Sequence, residues 1–115
     1  MQKKIKIGLI GLGTVGSGVF KTLKNFDNIE IAKIAVKNIN KPRNIEGLNR
    51  SLLTDNPCEV VQNPDIDIVA ELAGGLSPAF DLIAEALKNG KHIVTANKEL
   101  LAKRGEEIFS NTRKI

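Results

Sequence analysis

The sequence contains no tryptophan and no tyrosine, and its aromatic content of 3% is supplied by four phenylalanines. A core must therefore be built from Ile, Leu, Val and Ala, as in parallel sheets covered on both faces, which disfavours a β-sandwich. Cysteine occurs once, so an internal disulfide is excluded and a reducing compartment fits. That residue, Cys58 in "DNPCEVV", has no neighbouring pattern for metal or nucleophilic chemistry and reads as a half-buried helix residue. The single histidine, His92, opens a strand far in sequence from other titratable candidates, and we assign it a structural place. No apolar run reaches the length of a membrane span. After the basic start "MQKK", Lys6 and the four glycines from Gly8 to Gly16 interrupt any signal-peptide core. These absences imply a cytoplasmic protein with no membrane partner.

Basic residues outnumber acidic ones, 17 against 13, for a net charge of +4. The cations are scattered and no aromatic residues interleave with them to stack bases, so nucleic acid is not the expected partner. A small molecule bearing phosphate, or a solvated surface, accounts for the excess. With 115 residues and 42% hydrophobic content, one domain spanning residues 1–115 is expected.

Apolar patterning then divides the chain into alternating elements. Ile5 to Ile10 reads as a short buried strand, followed at once by "GLGTVGSG" and by a helix over Val15 to Phe26, with Val15, Val19, Phe20, Leu23 and Phe26 on its apolar face. Glu30 to Val36 is a second strand. From Lys37 to Asn56 no period is sustained, and we expect a connection with one short element near Ser51 to Leu53. Pro57 suits the first turn of a short helix through Val61. Asp65 to Leu72, "DIDIVAEL", is a third strand, ending at Gly74-Gly75, where the backbone turns or approaches a ligand. Ser77 and Pro78 open a helix whose face is Ala79, Phe80, Ile83, Ala86 and Leu87, closed by Asn89-Gly90 as a left-handed cap. The strand "HIVT" follows. This alternation implies right-handed βαβ crossovers and an α/β, doubly wound, mainly parallel sheet with helices on both faces. The closing "GEEIFSNTRKI" reads as a helix with no further strand to receive it, as in a piece of a longer protein.

Gly11, Gly13 and Gly16 form G-x-G-x-x-G between a strand and a helix, the context in which the pattern is a Rossmann dinucleotide-binding turn. The first glycine allows the tight turn, the second lets backbone approach a pyrophosphate, and the third lets helix and strand pack closely. The helix N-terminus offers unpaired N–H groups and a partial positive charge. The carboxylate that binds the ribose of NAD is expected at the end of the second strand, but Lys37 and Asn38 follow Val36. Lys37 is thus either a contact for the 2′-phosphate of NADP, with Arg43 as a second cation, or a solvated loop residue. Gly74-Gly75 lies on the same edge of the sheet, where it either lines the nicotinamide half of the cofactor or makes a turn.

Three segments in order, "GLGTVGSGV", "DIDIVAELAGG" and "ALKNGKHIVTANKELLA", resemble the amino-terminal cofactor domain of homoserine dehydrogenase from Ile5 to about Ala102. The likeness is most specific in "VTANKELLA" and weakest between Asn38 and Asn56; "VKNINKPR" resembles the basic stretch after the family's second strand. The resemblance implies interconversion of L-homoserine and L-aspartate 4-semialdehyde by hydride transfer with NAD or NADP, a step towards threonine and methionine. It also implies that Leu12, Gly13, Thr14 and Val15 contact the pyrophosphate and nicotinamide side, Lys37 the adenosine end, and Gly74, Thr95 and Lys98 the nicotinamide and substrate region. Lys98 matches one of two active-site lysines; the other lysine, the acidic residues that hold the substrate, and the family's dimerisation region lie outside these 115 residues. A homodimer through that region is expected, and turnover by the 115 residues alone is not.

An ammonium at Lys98 beside a carbonyl stabilises the alkoxide formed on hydride addition; the alternative is that Lys98 caps a loop or only binds cofactor. Asn97 is a candidate N-cap of the helix beginning at Lys98 or Glu99, which would fix the lysine's direction. Two other readings stay open at this point. Glucose-fructose oxidoreductase-like enzymes share such a domain but carry Glu-Lys-Pro where this chain has Ala96-Asn97-Lys98 followed by Glu99. A non-catalytic dinucleotide-binding module would use the same fold without hydride chemistry.

Overall fold

Alternating side chains along Ile5–Ile10, strand β1, send Ile7 and Leu9 into one packing layer and Ile10 into another. That division organises the molecule, which the computed structural model describes over residues 4–73 and 79–95. After β1 come helix α1 (Thr14–Leu23), β2 (Ile29–Ala35), β3 (Leu53–Thr54), the one-turn helix α2 (Cys58–Val61), β4 (Ile68–Glu71), α3 (Ala79–Lys88) and β5 (His92–Thr95). The strands pair in the order β3-β2-β1-β4-β5, and each pairing is parallel. The α/β, doubly wound expectation holds. Phe20 of α1 packs with Ile7, Leu9, Ile31 and Ile34 on one face. Val60 and Val61 of α2 and Ala86 of α3 pack with Ile10, Ala35 and Val69 on the other.

Strand β2 serves both layers through an irregularity in its register. Ile7 pairs with Ile31 but Gly8 pairs with Lys33, so Ala32 is the extra residue of a bulge. The bulge resets the side-chain alternation, which lets Ile31 and Ile34 join the same core although they are three positions apart.

Several expected bounds shift, each for a local reason. Helix α1 stops at Leu23, because the N–H groups of Asn25 and Phe26 reach back only three residues, to Thr22 and Leu23. The helix thus unwinds before Phe26, which is 48% exposed rather than part of the apolar face. Val15 is also exposed, on the first turn of α1, ahead of the packing contacts that Val19, Phe20 and Leu23 make. Within the weakly patterned connection, Ile39, Ile45 and Leu48 lean on the α1-side core, and a 3-10 turn at Arg50–Leu52 leads into β3. This fifth strand was not expected, since two residues are too few to show a period. Cys58 is exposed, not half-buried, because the single turn of α2 turns Val60 and Val61 inward.

At the C-terminus of α3 the expected left-handed cap is present. Gly90 has φ +80, and the N–H groups of Gly90 and Lys91 bond to the carbonyls of Leu87 and Ala86. Lys91 is buried and its ammonium donates to the carbonyls of Asn63 and Ile66. The proposed opening of that helix at Ser77 and Pro78 lies outside the described residues.

Candidate cofactor site

From β1 the chain winds through β2 and β3 to one side of the sheet, then crosses to β4 and β5 on the other. The loops leaving β1 and β4 therefore part at the carboxyl ends of two neighbouring strands, the place where open α/β sheets hold ligands. A cleft of about 800 Å³ opens there.

The glycine turn forms its centre, and each glycine has a separate physical reason. Gly11 has φ +100, and a Cβ on it would sit 2.9 Å from the Ala73 backbone, so the turn lies directly against the exit of β4. Gly13 caps α1, has no side-chain capping bond, and faces open space: among the described residues an added Cβ would meet nothing within 4 Å. Gly16 is buried, and a Cβ there would collide with the carbonyl oxygen of Gly11. The first turn of α1 carries no acidic residue, so the positive end of the helix is unopposed. Leu12 and Gly13 line the cleft, while Thr14 and Val15 occupy the exposed first turn of the helix beside it.

One end of the cleft is walled by the residues that follow β2. Lys37 is exposed there, and no carboxylate stands at the end of that strand. Lys41 and Arg43 also line this end, and the guanidinium of Arg43 donates to the Lys41 carbonyl at 3.0 Å. Asp55, exposed at the exit of β3, lines the cleft as well; sequence reasoning did not select it because it follows an unrecognised strand. The turn bearing Asp55 is held by the Thr54 hydroxyl, which donates to Glu59 at 2.7 Å and accepts from the Asn56 N–H at 3.1 Å.

The other end is built differently. Glu71, the last residue of β4, is 0% exposed yet borders the cleft with Leu72 and Ala73. Its carboxylate accepts from the Ala73 N–H and from the Thr95 hydroxyl, each at 3.0 Å. Thr95 is half-buried at the end of β5 and reaches the cleft wall through that bond. Glu71 was also missed, although its signal was present: it is the one charged residue in the apolar run "IVAEL". Gly74, Gly75, Asn97 and Lys98 lie outside the described residues. Among the described residues no cluster of His, Cys, Asp or Glu could hold a metal ion, and no helix is long and apolar enough to cross a membrane.

Residues 11–115 match a protein-family profile described as homoserine dehydrogenase, NAD binding domain. The chain belongs to that family. It is 45% identical over 112 residues to homoserine dehydrogenase of Synechocystis sp., which covers 91% of this chain and 26% of the relative. The Bacillus subtilis enzyme is 36% identical over 121 residues, covering 97% of this chain and 28% of its own length. Among solved structures, a homoserine dehydrogenase from Thiobacillus denitrificans superimposes with a TM-score of 0.84 at 47% identity, covering 97% of this chain and 28% of that one. The S. aureus homoserine dehydrogenase at pH 8.5 gives a TM-score of 0.89 at 37% identity, covering 99% of this chain and 31% of that one. The chain thus spans between a quarter and a third of each of these four proteins.

As an NAD-binding domain of the homoserine dehydrogenase family, the chain has the features its cofactor class requires. The open space over Gly13, at a helix N-terminus, suits two phosphates. The cleft continues from there towards Lys37 on one side and Glu71 on the other, room for the two halves of a dinucleotide.

Proposed function

We propose that this chain holds NAD(P) across the carboxyl edge of its sheet and that the full-length protein interconverts L-homoserine and L-aspartate 4-semialdehyde. The observation that carries this reading is the unobstructed Gly13 at the N-terminus of α1, in a chain of the homoserine dehydrogenase family. Gly11, Leu12, Gly13, Thr14, Val15 and Gly16 form the turn and first helical residues that accept the pyrophosphate through backbone N–H groups. Lys37 meets the adenosine end. With Arg43 and Lys41 nearby and no carboxylate after β2, the reading favours NADP over NAD. Gly74, Thr95 and Lys98 serve the nicotinamide and substrate region.

Bound in this cleft, the nicotinamide cofactor supplies the hydride for aldehyde reduction and takes it back in the reverse direction. The chain's own contribution is to orient the dinucleotide and to present the Lys98 ammonium to the carbonyl oxygen, where it stabilises the alkoxide and can pass it a proton. The substrate's remaining contacts and a homodimer interface belong to parts of the full-length protein beyond this domain. A cytoplasmic location accords with the single cysteine.

The test is titration of this chain with NADPH and NADH, paired with an assay of the full-length protein on homoserine. Saturable binding by the domain and turnover only by the full-length protein are expected. Absence of coenzyme binding would sink the reading, and turnover by the 115 residues alone would overturn the assignment of substrate contacts elsewhere.

A further inference from the structure

Asp55 has no structural task that its neighbours leave undone. The Thr54 hydroxyl donates to Glu59 at 2.7 Å and accepts from the Asn56 N–H at 3.1 Å, and the Asn56 side chain accepts from the Cys58 N–H at 3.1 Å. Glu59 is tied in turn to Lys33. Among the described residues the Asp55 carboxylate enters no hydrogen bond or ion pair. It is exposed and lines the cleft, which also carries Lys37, Lys41 and Arg43. A lone carboxylate in such company opposes the anionic ligand that the cations attract, unless it recognises a donor on that ligand.

Strand order says which part of a dinucleotide reaches it. Ile10 pairs with Ala35 and Ala35 with Thr54, so these residues form one row across β1, β2 and β3. The chain leaves that row at Gly11, Val36 and Asp55; the Gly11 N–H donates to the Ala35 carbonyl and the Val36 N–H to the Thr54 carbonyl, each at 2.8 Å. Neighbouring strands lie about 4.8 Å apart, which sets Asp55 about 10 Å from the glycine turn. With the diphosphate at the exit of β1, the ribose follows at the exit of β2 and the base lies one strand further out, at the exit of β3. Pro57 and Leu82, both half-buried in the cleft wall, supply apolar surface for a ring. Resting on the cofactor reading above, we propose that Asp55 determines base specificity: its carboxylate accepts a hydrogen bond from the exocyclic amino group of adenine. That amino group is the only N–H donor of the base in a nucleotide, and a carboxylate only accepts.

Hypoxanthine tests the assignment because it carries a carbonyl oxygen where adenine has its amino group, so two acceptors would face each other. The full-length protein and its Asp55→Ala and Asp55→Asn variants are titrated with NADPH, with NADH, and with the hypoxanthine counterpart of whichever binds more tightly. Wild type is expected to bind the adenine coenzyme about tenfold more tightly than the hypoxanthine form, the worth of one hydrogen bond to a charged group. Asp55→Ala should weaken the adenine coenzyme by about that factor and remove the preference. Asp55→Asn, whose amide accepts from an amino group or donates to a carbonyl, should bind the hypoxanthine form more tightly than wild type does. NADPH and NADH should lose affinity by the same factor, because the base is common to both.

A wild type that binds both bases alike, or an Asp55→Ala variant that keeps the preference, overturns the proposal. So does a variant that binds NADPH more tightly with NADH unchanged, since the carboxylate would then face the 2′-phosphate rather than the base. If Asp55→Ala fails to fold, Asp55→Asn keeps the side-chain shape and is judged by the same gap between the two bases. Wild-type protein that binds no coenzyme would overturn the cofactor reading and this assignment together, whereas a binding wild type with no base preference overturns this assignment alone.

Discussion

At the β2–β3 end of the cleft, Lys37, Lys41 and Asp55 stand exposed on loops, whereas at the β4 end Glu71 is 0% exposed and accepts from the Ala73 N–H just past β4 and from the Thr95 hydroxyl of β5. Charge is used for different ends in these two places. Solvated cations act at a distance, are screened by salt, and can change with little effect on the fold. A buried carboxylate specifies geometry, and its removal leaves donors without partners. The first arrangement suits selection between related anionic ligands; the second suits holding two strand ends in a fixed relation.

Breaking the buried end should have the largest effect. Glu71→Ala is expected to destabilise the protein by about 3 kcal/mol, since the Ala73 N–H and the Thr95 hydroxyl both lose their acceptor. Asp55→Ala should change stability by less than about 0.5 kcal/mol, as surface substitutions do; denaturant unfolding of the two variants side by side checks the contrast. A comparable drop for Asp55→Ala would erase it.

The glycine turn, between the two ends, sharpens the comparison on a smaller scale. Gly16→Ala places a Cβ against the Gly11 carbonyl and should cost about 2 kcal/mol of stability. Gly13→Ala meets open space and should leave the unfolding midpoint nearly unchanged, yet weaken coenzyme binding on the order of tenfold, about 1.4 kcal/mol. Measuring unfolding and coenzyme titration on both variants separates a packing glycine from a ligand glycine.

At the exposed end, Lys37→Asp should weaken NADPH severalfold at low salt while leaving NADH little changed, and the difference should shrink as salt rises. An unchanged NADPH dissociation constant at low salt would make Lys37 a solvated loop residue. The smallest effect concerns Lys91, another buried charge but one away from the cleft. Burial lowers its pKa, opposed by the carboxylates of Asp67 and Asp65. The unfolded chain therefore holds that proton more tightly than the folded one. Below both pKa values the two states are equally protonated and Lys91 adds no slope; as pH rises through the lowered value towards the ordinary lysine value of 10.5, its contribution to stability increases. Lys91→Met should remove that rise from the pH dependence of the unfolding midpoint.

Much of the fold was legible because it rests on local signals. The glycine turn, the helix face of Ala79, Ile83, Ala86 and Leu87, and the Asn89-Gly90 cap each declare themselves within about a dozen residues. What escaped depends on distant partners. Strand β3 is two residues that exist as a strand only because Ile34 and Ala35 lie beside them. The bulge at Ala32 reads in sequence as a fault in alternation, and only the pairing of β2 with β1 shows why the fault is there. Cys58 could not be placed on the exposed side from a one-turn helix with no full period.

The sequence by itself determined the class of protein: a glycine-turn α/β domain of the homoserine dehydrogenase family, with no ribose-binding carboxylate after its second strand. Backbone conformation and helical or strand periodicity are short-range properties, written in neighbouring residues. Tertiary structure alone decided that Gly11 lies against Ala73, that Asp55 lines the same cleft as the cations after β2, and that Glu71 joins the ends of β4 and β5. Glu71 and Thr95 are 24 positions apart in the chain. Their hydrogen bond has direction and length only once parallel pairing brings the two strand ends side by side, which no local pattern can encode.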